Sequence, residues 1–231
     1  MEQLVLELAA PEPASFENFL PGANAEVVAA LTRCARGETP ETGLLLWGAM
    51  GAGKSHLLRA TVRAASARGV RAALYDDPIE LESADSDALP LHALVAVDRV
   101  DTASAAAQAR LFTLYNALKA AGGHLVAASR LPLAALPVRD DLRSRLGWGL
   151  VYAVVPLADA DKPAALVDYA RRRGFTLSED VIGYLLAHGR RDMTALCTTL
   201  AALDRHSLAT KRAITVPLLR DWLQREMSLG A

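Results

Sequence analysis

The sequence predicts an α/β fold, a P-loop domain with a parallel sheet flanked by helices and a small helical domain behind it. Three observations predict it. Four short apolar runs, at 43–47, 70–75, 93–97 and 124–128, are separated by helix-like stretches. Runs that are apolar along their whole length suit a sheet covered on both faces. The first run leads into a glycine-rich turn that opens a helix, and after Pro156 the strand pattern stops and helical spacing takes over.

The elements follow in order. Gln3-Leu4-Val5-Leu6-Glu7-Leu8 alternates polar and apolar residues. Pro11, Pro13 and Phe16-Glu17-Asn18-Phe19 lead to a helix over 24–36. The strand at 43–47 is followed by a helix over 54–68, which Gly69 stops, and by the strand at 70–75. Residues 76–90 are acidic and irregular, with room for a short helix. The third strand precedes a helix over 104–121 that Gly122-Gly123 closes, and the fourth follows at once. A last short apolar run covers 151–155. Helices are then expected at 159–173, 179–188 and 192–207, with a fourth after Thr215, which can cap it, and Pro217 in its first turn.

Composition bounds the function. At 231 residues and 52% hydrophobic, the chain can bury a proper core. With 25 basic and 26 acidic residues its formal charge is −1, which argues against a protein that coats nucleic acid. Four of the basic residues are lysine and 21 are arginine, so an arginine here is a weaker sign of a site than usual. Cys34 and Cys197 lie far apart in apolar stretches and read as two buried thiols. No basic leader and no run long enough to span a membrane is visible, so the expected location is the cytoplasm.

Gly48-Ala49-Met50-Gly51-Ala52-Gly53-Lys54-Ser55 is a full G-x-x-x-x-G-K-[ST] motif between strand and helix. Its backbone N–H groups can cradle phosphate, and the helix N-terminus favours an anion. Lys54 would meet the β- and γ-phosphates, and Ser55 would ligate Mg²⁺. Gly48, Gly51, Ala52, Gly53, Lys54 and Ser55 are therefore the expected binding residues for ADP or ATP. Asp98, at the tip of Leu94-Val95-Ala96-Val97-Asp98, is the expected partner of Ser55 at the metal and the catalytic acid of the site. A second carboxylate would polarise the attacking water, but Arg99 stands in that place. Asp101, two residues on, is the alternative acid, and the chain's own hydrolysis is expected to be poor. Ser129 ends the fourth strand, where a polar residue can sense the γ-phosphate.

Further stretches carry a resemblance. Asp141-Leu142-Arg143-Ser144-Arg145-Leu146-Gly147-Trp148-Gly149-Leu150 resembles the arginine-finger segment of DnaA-type AAA+ domains. Ser15-Phe16-Glu17-Asn18-Phe19, with Gly22 and Asn24, resembles their N-terminal box, and Lys54-Ser55-His56-Leu57-Leu58 their phosphate-loop helix. Arg191-Asp192-Met193 is similar to the lid arginine motif. The resemblance spans about residues 9–226. It implies a finger role for Arg145, nucleotide contact for Arg191 and a place for His56 behind the loop among the nucleotide-binding residues. Ser129 departs from the pattern, which has Asp there.

Gln3, Leu4, Leu6 and Leu8 look like the clamp-binding peptide of the Hda family, regulatory inactivators of DnaA. The sequence shows neither the interaction domain nor the helix-turn-helix domain of a DnaA initiator. The implied organisation is a clamp-binding peptide at 1–8, an AAA+ domain at 9–156 and a helical lid at 157–231. The implied function is negative regulation of replication initiation, by triggering ATP hydrolysis in DnaA from the DNA polymerase sliding clamp (its beta subunit). DNA contact would be weak or indirect, no membrane is involved, and a homodimer stays open. The alternative is an AAA+ helicase loader or another DnaA-like replication ATPase, which Arg99 disfavours. A small P-loop transferase is disfavoured by the Arg145 segment and the helical lid. Arg171-Arg172-Arg173, at a helix C-terminus, reads as structural. Trp47, Trp148 and Trp222 read as core or domain-junction anchors.

Overall fold

The structure is a computed structural model that describes residues 13–84, 93–189 and 192–229, with side chains as far as residue 224. The Gln3–Leu8 peptide and Arg191 lie outside the described residues. Two compact units form, one of Ala14–Pro156 and one beginning at Leu157.

The first unit is a five-stranded sheet in the order β2-β3-β4-β1-β5. Its strands are β1 (Gly43–Trp47), β2 (Ala72–Tyr75), β3 (Leu94–Val97), β4 (His124–Ser129) and β5 (Leu150–Ala153). All neighbouring pairs are parallel. Among the described residues, five α-helices accompany them: α1 (Ala25–Ala35), α2 (Lys54–Ala67), α3 (Glu80–Ser83), α4 (Ala105–Ala121) and α5 (Asp140–Gly147). The alternation of side chains along each strand splits the apolar residues between two cores. Leu44, Leu46, Leu94, Ala96, Val126 and Ala128 share one with Leu31 of α1 and Leu57 and Leu58 of α2. Leu45, Val95, Val97, Leu125 and Ala127 share the other with Leu111, Leu114 and Leu118 of α4 and Leu142 and Leu146 of α5. This is the doubly covered parallel sheet that the uniform apolar runs require.

Helix ends obey local chemistry. Ser104 caps α4, its hydroxyl accepting from the Ala107 N–H at 3.1 Å, and Gly122 ends it in a left-handed conformation. Helix α5 is not among the elements expected from the sequence. It has eight residues, and only Leu142 and Leu146 are buried, too few for a periodic signal. Asp140 and Asp141 in its first turn and Arg145 in its last suit its dipole.

The second unit is helical: α6 (Lys162–Arg172), α7 (Glu179–His188), α8 (Met193–Thr210) and α9 (Val216–Leu229). Leu166, Val181, Leu185, Leu196, Leu200, Leu203 and Leu219 form its core, with Trp222 packed against it. Ser178 and Asp192 cap α7 and α8. Arg171 and Arg172 both pair with Asp168, while the half-buried Arg173 lies 3.6 Å from Asp204. Among the described residues, no helix is long and apolar enough to cross a membrane. Cys34 is buried as expected, but Cys197 is only half-buried, since it lies on the flank of α8 beside the core residue Leu196.

Candidate functional site

The sheet order brings together the tips of three strands. Trp47 of β1 lies beside Ser129 of β4, and Val97 of β3 beside Ala127. The phosphate loop after β1 and Asp98 after β3 therefore flank the end of β4. This is the carboxyl edge of a parallel sheet where the strand order reverses, the usual ligand crevice of such folds.

The loop is tightly held. Gly48 donates its N–H to Ser129 O at 3.2 Å, and a Cβ on Gly48 would lie 2.3 Å from the Val154 carbonyl oxygen, so only glycine fits. Gly53 has φ +98° and takes the N-cap place of α2 without a side-chain cap, and Phe19 packs against its Cα. The N–H groups of the first turn of α2 stay open to an anion. Lys54 is buried and donates to the carbonyls of Gly48 at 2.7 Å and Ala49 at 2.8 Å. Burial lowers its pKa, and the charges of Asp98 and Asp101 counter this. His56 reaches back to the Ser15 carbonyl at 2.9 Å with its ring against Phe19, which ties the Ser15–Phe19 stretch to α2.

The acid side of the site is explicit. The Ser55 hydroxyl donates to the Asp98 carboxylate, and Asp98 is buried, its other oxygen accepting from the Arg99 N–H at 2.7 Å. A hydroxyl and a carboxylate held together are the hard oxygen donors that Mg²⁺ takes beside phosphate. The loop and this pair fit a magnesium-bound nucleotide. Arg99 adopts a left-handed conformation, φ 52°, and its guanidinium donates to Asp76 O at 2.9 and 2.8 Å and lies 3.1 Å from Asp77. Asp101 is not a free base. Its carboxylate, 2% exposed, takes hydrogen bonds from Arg130 Nε at 2.8 Å and Arg130 N at 3.0 Å. Ser129 is fully buried, and its hydroxyl bonds the Leu131 carbonyl and N–H at 2.8 and 2.9 Å.

A second constellation sits on α5. Arg143 is structural: it pairs with Asp140 at 2.6 Å and donates to the carbonyls of Leu136 and Val138. Asp141 pairs with Arg139. Arg145 thus makes no ion pair among the described residues. Its guanidinium carbon lies 4.0 Å from the Trp148 ring centre and 5.6 Å from that of Phe112.

Comparison with known proteins bears on this arrangement. Residues 159–223 match the family model described as Hda, lid domain. Domain III of the Thermotoga maritima replication initiation protein DnaA superposes with a TM-score of 0.79 at 20% identity, covering 92% of this chain and 96% of that one. The segment after Pro156 thus resembles the Hda lid, and the chain has the fold of DnaA domain III. AMPPCP-bound DnaA from Aquifex aeolicus matches with a TM-score of 0.71 at 21% identity, covering 86% of this chain and 66% of that one. DnaA bound to AMPPCP and single-stranded DNA gives 0.70 at the same identity and coverage. RuvB of Thermotoga maritima gives 0.66 at 14%, covering 92% and 72%.

Within this fold, the structure brings Gly48, Gly51, Ala52, Gly53, Lys54, Ser55, Asp98 and Ser129 to one edge of the sheet and holds His56 behind it. Two residues were not read from the sequence as parts of a site. Arg130 looked like one more arginine in a loop, and its only signal was its place after the strand tip. Trp148 is not the core or junction anchor expected of it. It is 56% exposed, because it caps α5 on the surface instead of pointing into the sheet.

Proposed function

We propose that this chain is a cytoplasmic, nucleotide-bound AAA+ regulator of replication initiation that acts on DnaA by inserting Arg145 beside the ATP that DnaA holds. Residues 1–8 tether it to the sliding clamp, 9–156 bind nucleotide and present the finger, and 157–231 form the lid. The observation that carries this reading is the presentation of Arg145. An arginine meant for internal structure is paired, as Arg139 and Arg143 are. Among the described residues, the Arg145 side chain rests on aromatic rings and makes no ion pair.

The chemistry follows from where charge develops. As the γ-phosphoryl group leaves ADP, negative charge builds on the bridging and equatorial oxygens. A planar guanidinium can meet two of them at once. Fingers of this kind accelerate hydrolysis by about 10³–10⁵. In the chain's own site, Lys54 and the open N–H groups of α2 bind ADP or ATP, and Ser55 with Asp98 would hold Mg²⁺. A metal held there would neutralise phosphate charge. With Arg99 turned towards Asp76 and Asp77, and Asp101 tied to Arg130, no free carboxylate follows Asp98. That supports a regulator over a helicase loader, which depends on its own turnover.

The test is phosphate release from ATP-loaded DnaA with clamp on DNA. The wild-type chain should accelerate it, and Arg145→Ala should not. Gln3→Ala with Leu4→Ala should lose clamp association while ADP affinity stays unchanged. Full stimulation by Arg145→Ala would overturn the finger assignment and turn attention to Arg143.

A further inference from the structure

We propose that Trp148 is a positioning residue for Arg145, an aromatic rest that holds the guanidinium oriented and fully charged until a phosphate on the partner replaces it. The inference rests on the finger reading above and adds a residue to it.

The geometry points at one residue twice. The Trp148 N–H donates to the Arg145 carbonyl at 3.2 Å, ending α5, and the Trp148 ring lies against the Arg145 guanidinium at 4.0 Å. Backbone and side chain of Trp148 are thus both spent on Arg145. The platform is anchored on both sides, since α5 ends at Gly147 and β5 begins at Leu150. The Arg145 Nε is buried and has no hydrogen-bond partner among the described residues. The Nε atoms of Arg143 and Arg173 are in the same state, so the stacking on Trp148, not this atom, singles Arg145 out.

The kind of support matters to the chemistry. A carboxylate would hold Arg145 as firmly, but it would neutralise the charge and would have to be stripped off before phosphate could bind. An indole face attracts a cation through its quadrupole and leaves the net charge intact. The two nearest acids of the helix are already engaged, Asp140 by Arg143 and Asp141 by Arg139. Lys119 Nζ lies 4.5 Å from the same Trp148 ring, so the patch gains a second positive charge. The indole is 56% exposed, so the guanidinium it supports lies within reach of a partner.

Two measurements test it. In the first, stimulated ATP hydrolysis by ATP-loaded DnaA is followed against the concentration of this chain, to separate the saturating rate from the half-saturating concentration. Arg145→Ala serves as the reference for the finger, and thermal melting confirms that each variant is folded. Trp148→Ala should lower the saturating rate by about 2- to 30-fold, the range of a cation–π contact. The half-saturating concentration should move less, and Trp148→Phe and Trp148→Tyr should restore most of the rate. In the second, without any partner, NMR of arginine-labelled chain should show the Arg145 side-chain resonances displaced by the indole ring current, and Trp148→Ala should abolish that displacement. A full saturating rate in Trp148→Ala beside a dead Arg145→Ala overturns the positioning role and leaves the finger standing. A loss confined to half-saturation makes Trp148 a docking contact and also overturns it. Unchanged Arg145 resonances do the same. A fully active Arg145→Ala removes the finger reading itself.

Discussion

The side chain of Asn24 pairs with the backbone of Val155 as a neighbouring strand would. Its amide donates to Val155 O at 2.8 Å and its carbonyl accepts from Val155 N at 2.8 Å, across 131 positions of sequence. Asn24 is buried and introduces α1, so this pair joins the segment before the first helix to the chain just beyond β5. Replacing it by alanine leaves the Val155 N–H and carbonyl without their side-chain partner, at a part-buried place. Asn24→Ala should cost about 1–3 kcal/mol in urea unfolding, the net worth of two hydrogen bonds at about 0.5–1.5 kcal/mol each. A loss within about 0.5 kcal/mol, the scale of an ordinary surface change, would show that water replaces the pair freely.

Lys54 is held in place by two carbonyl oxygens before any phosphate arrives. Burial disfavours its charge, the carboxylates of Asp98 and Asp101 favour it, and a phosphate would add a further opposite charge. Lys54→Ala should weaken ADP binding by about 1.5–3 kcal/mol, roughly 10- to 150-fold, and titration calorimetry reads it. Fold stability should change little, because the same burial makes the cation a weak contributor to folding. Unchanged ADP affinity would mean that phosphate sits elsewhere.

Asp101 gives a pH signature. Burial works to raise its pKa, but the hydrogen bonds from Arg130 and the nearby guanidinium hold it below the ordinary carboxylate value. A carboxylate depressed in the folded state stabilises the protein above its unfolded pKa, about 3.9, and that contribution is lost as pH falls through the folded value. Asp101→Asn should therefore be less stable than wild type near neutrality. The gap should close on acidification below about pH 4. Urea unfolding at several pH values measures it, and a gap independent of pH would assign the effect to packing.

The sheet was legible because its strands are apolar throughout. Leu44, Leu45 and Leu46 alternate between two cores, and a run with no polar face says that both are covered. The phosphate loop was legible because its chemistry needs fixed residue types at fixed spacing. Strand order is not written in any one run, so the adjacency of Trp47 and Ser129 waited for the structure. Helix α5 was hidden because it rests on Leu142 and Leu146 alone. The tie between Asp101 and Arg130 joins two loops 29 residues apart, and no local pattern encodes it. Trp148 was misread for a general reason: a large aromatic is usually buried, and its exposure depends on where a short helix ends.

Thiol reactivity separates the two cysteines. Burial pushes the Cys34 thiol up to about 12, so almost no thiolate forms near pH 8. Cys197 is half-buried on α8. A thiol reagent at about pH 8, near the free-cysteine pKa, should react first at Cys197 in the folded protein and reach Cys34 only on unfolding. Mass spectrometry of the labelled peptides gives the order. Early labelling of Cys34 would mean that the core around Leu31 and Leu57 opens locally.

Arg145 offers the sharpest separation of stability from function. In the folded chain it contributes a cation–π contact with Trp148 and a buried Nε that has no hydrogen-bond partner among the described residues. The first is worth about 0.5–2 kcal/mol and the second works against folding by a similar amount, so the two nearly cancel. Arg145→Ala should therefore unfold within about 1 kcal/mol of wild type, retain ADP affinity and keep the clamp interaction proposed for the N-terminal peptide. The stimulation of DnaA proposed for this chain should nevertheless be lost. Arg145→Lys keeps the positive charge but should not keep the function proposed for Arg145. An ammonium is strongly hydrated, lacks the planar fork that meets two phosphate oxygens, and cannot stack flat on the indole. Lysine should thus restore little of the rate while matching the wild-type melting temperature within a few degrees, on the order of 1 kcal/mol. Substantial rescue by lysine would show that the site needs only a point charge, and then neither the planar fork of Arg145 nor its stacking on Trp148 would matter to the reaction.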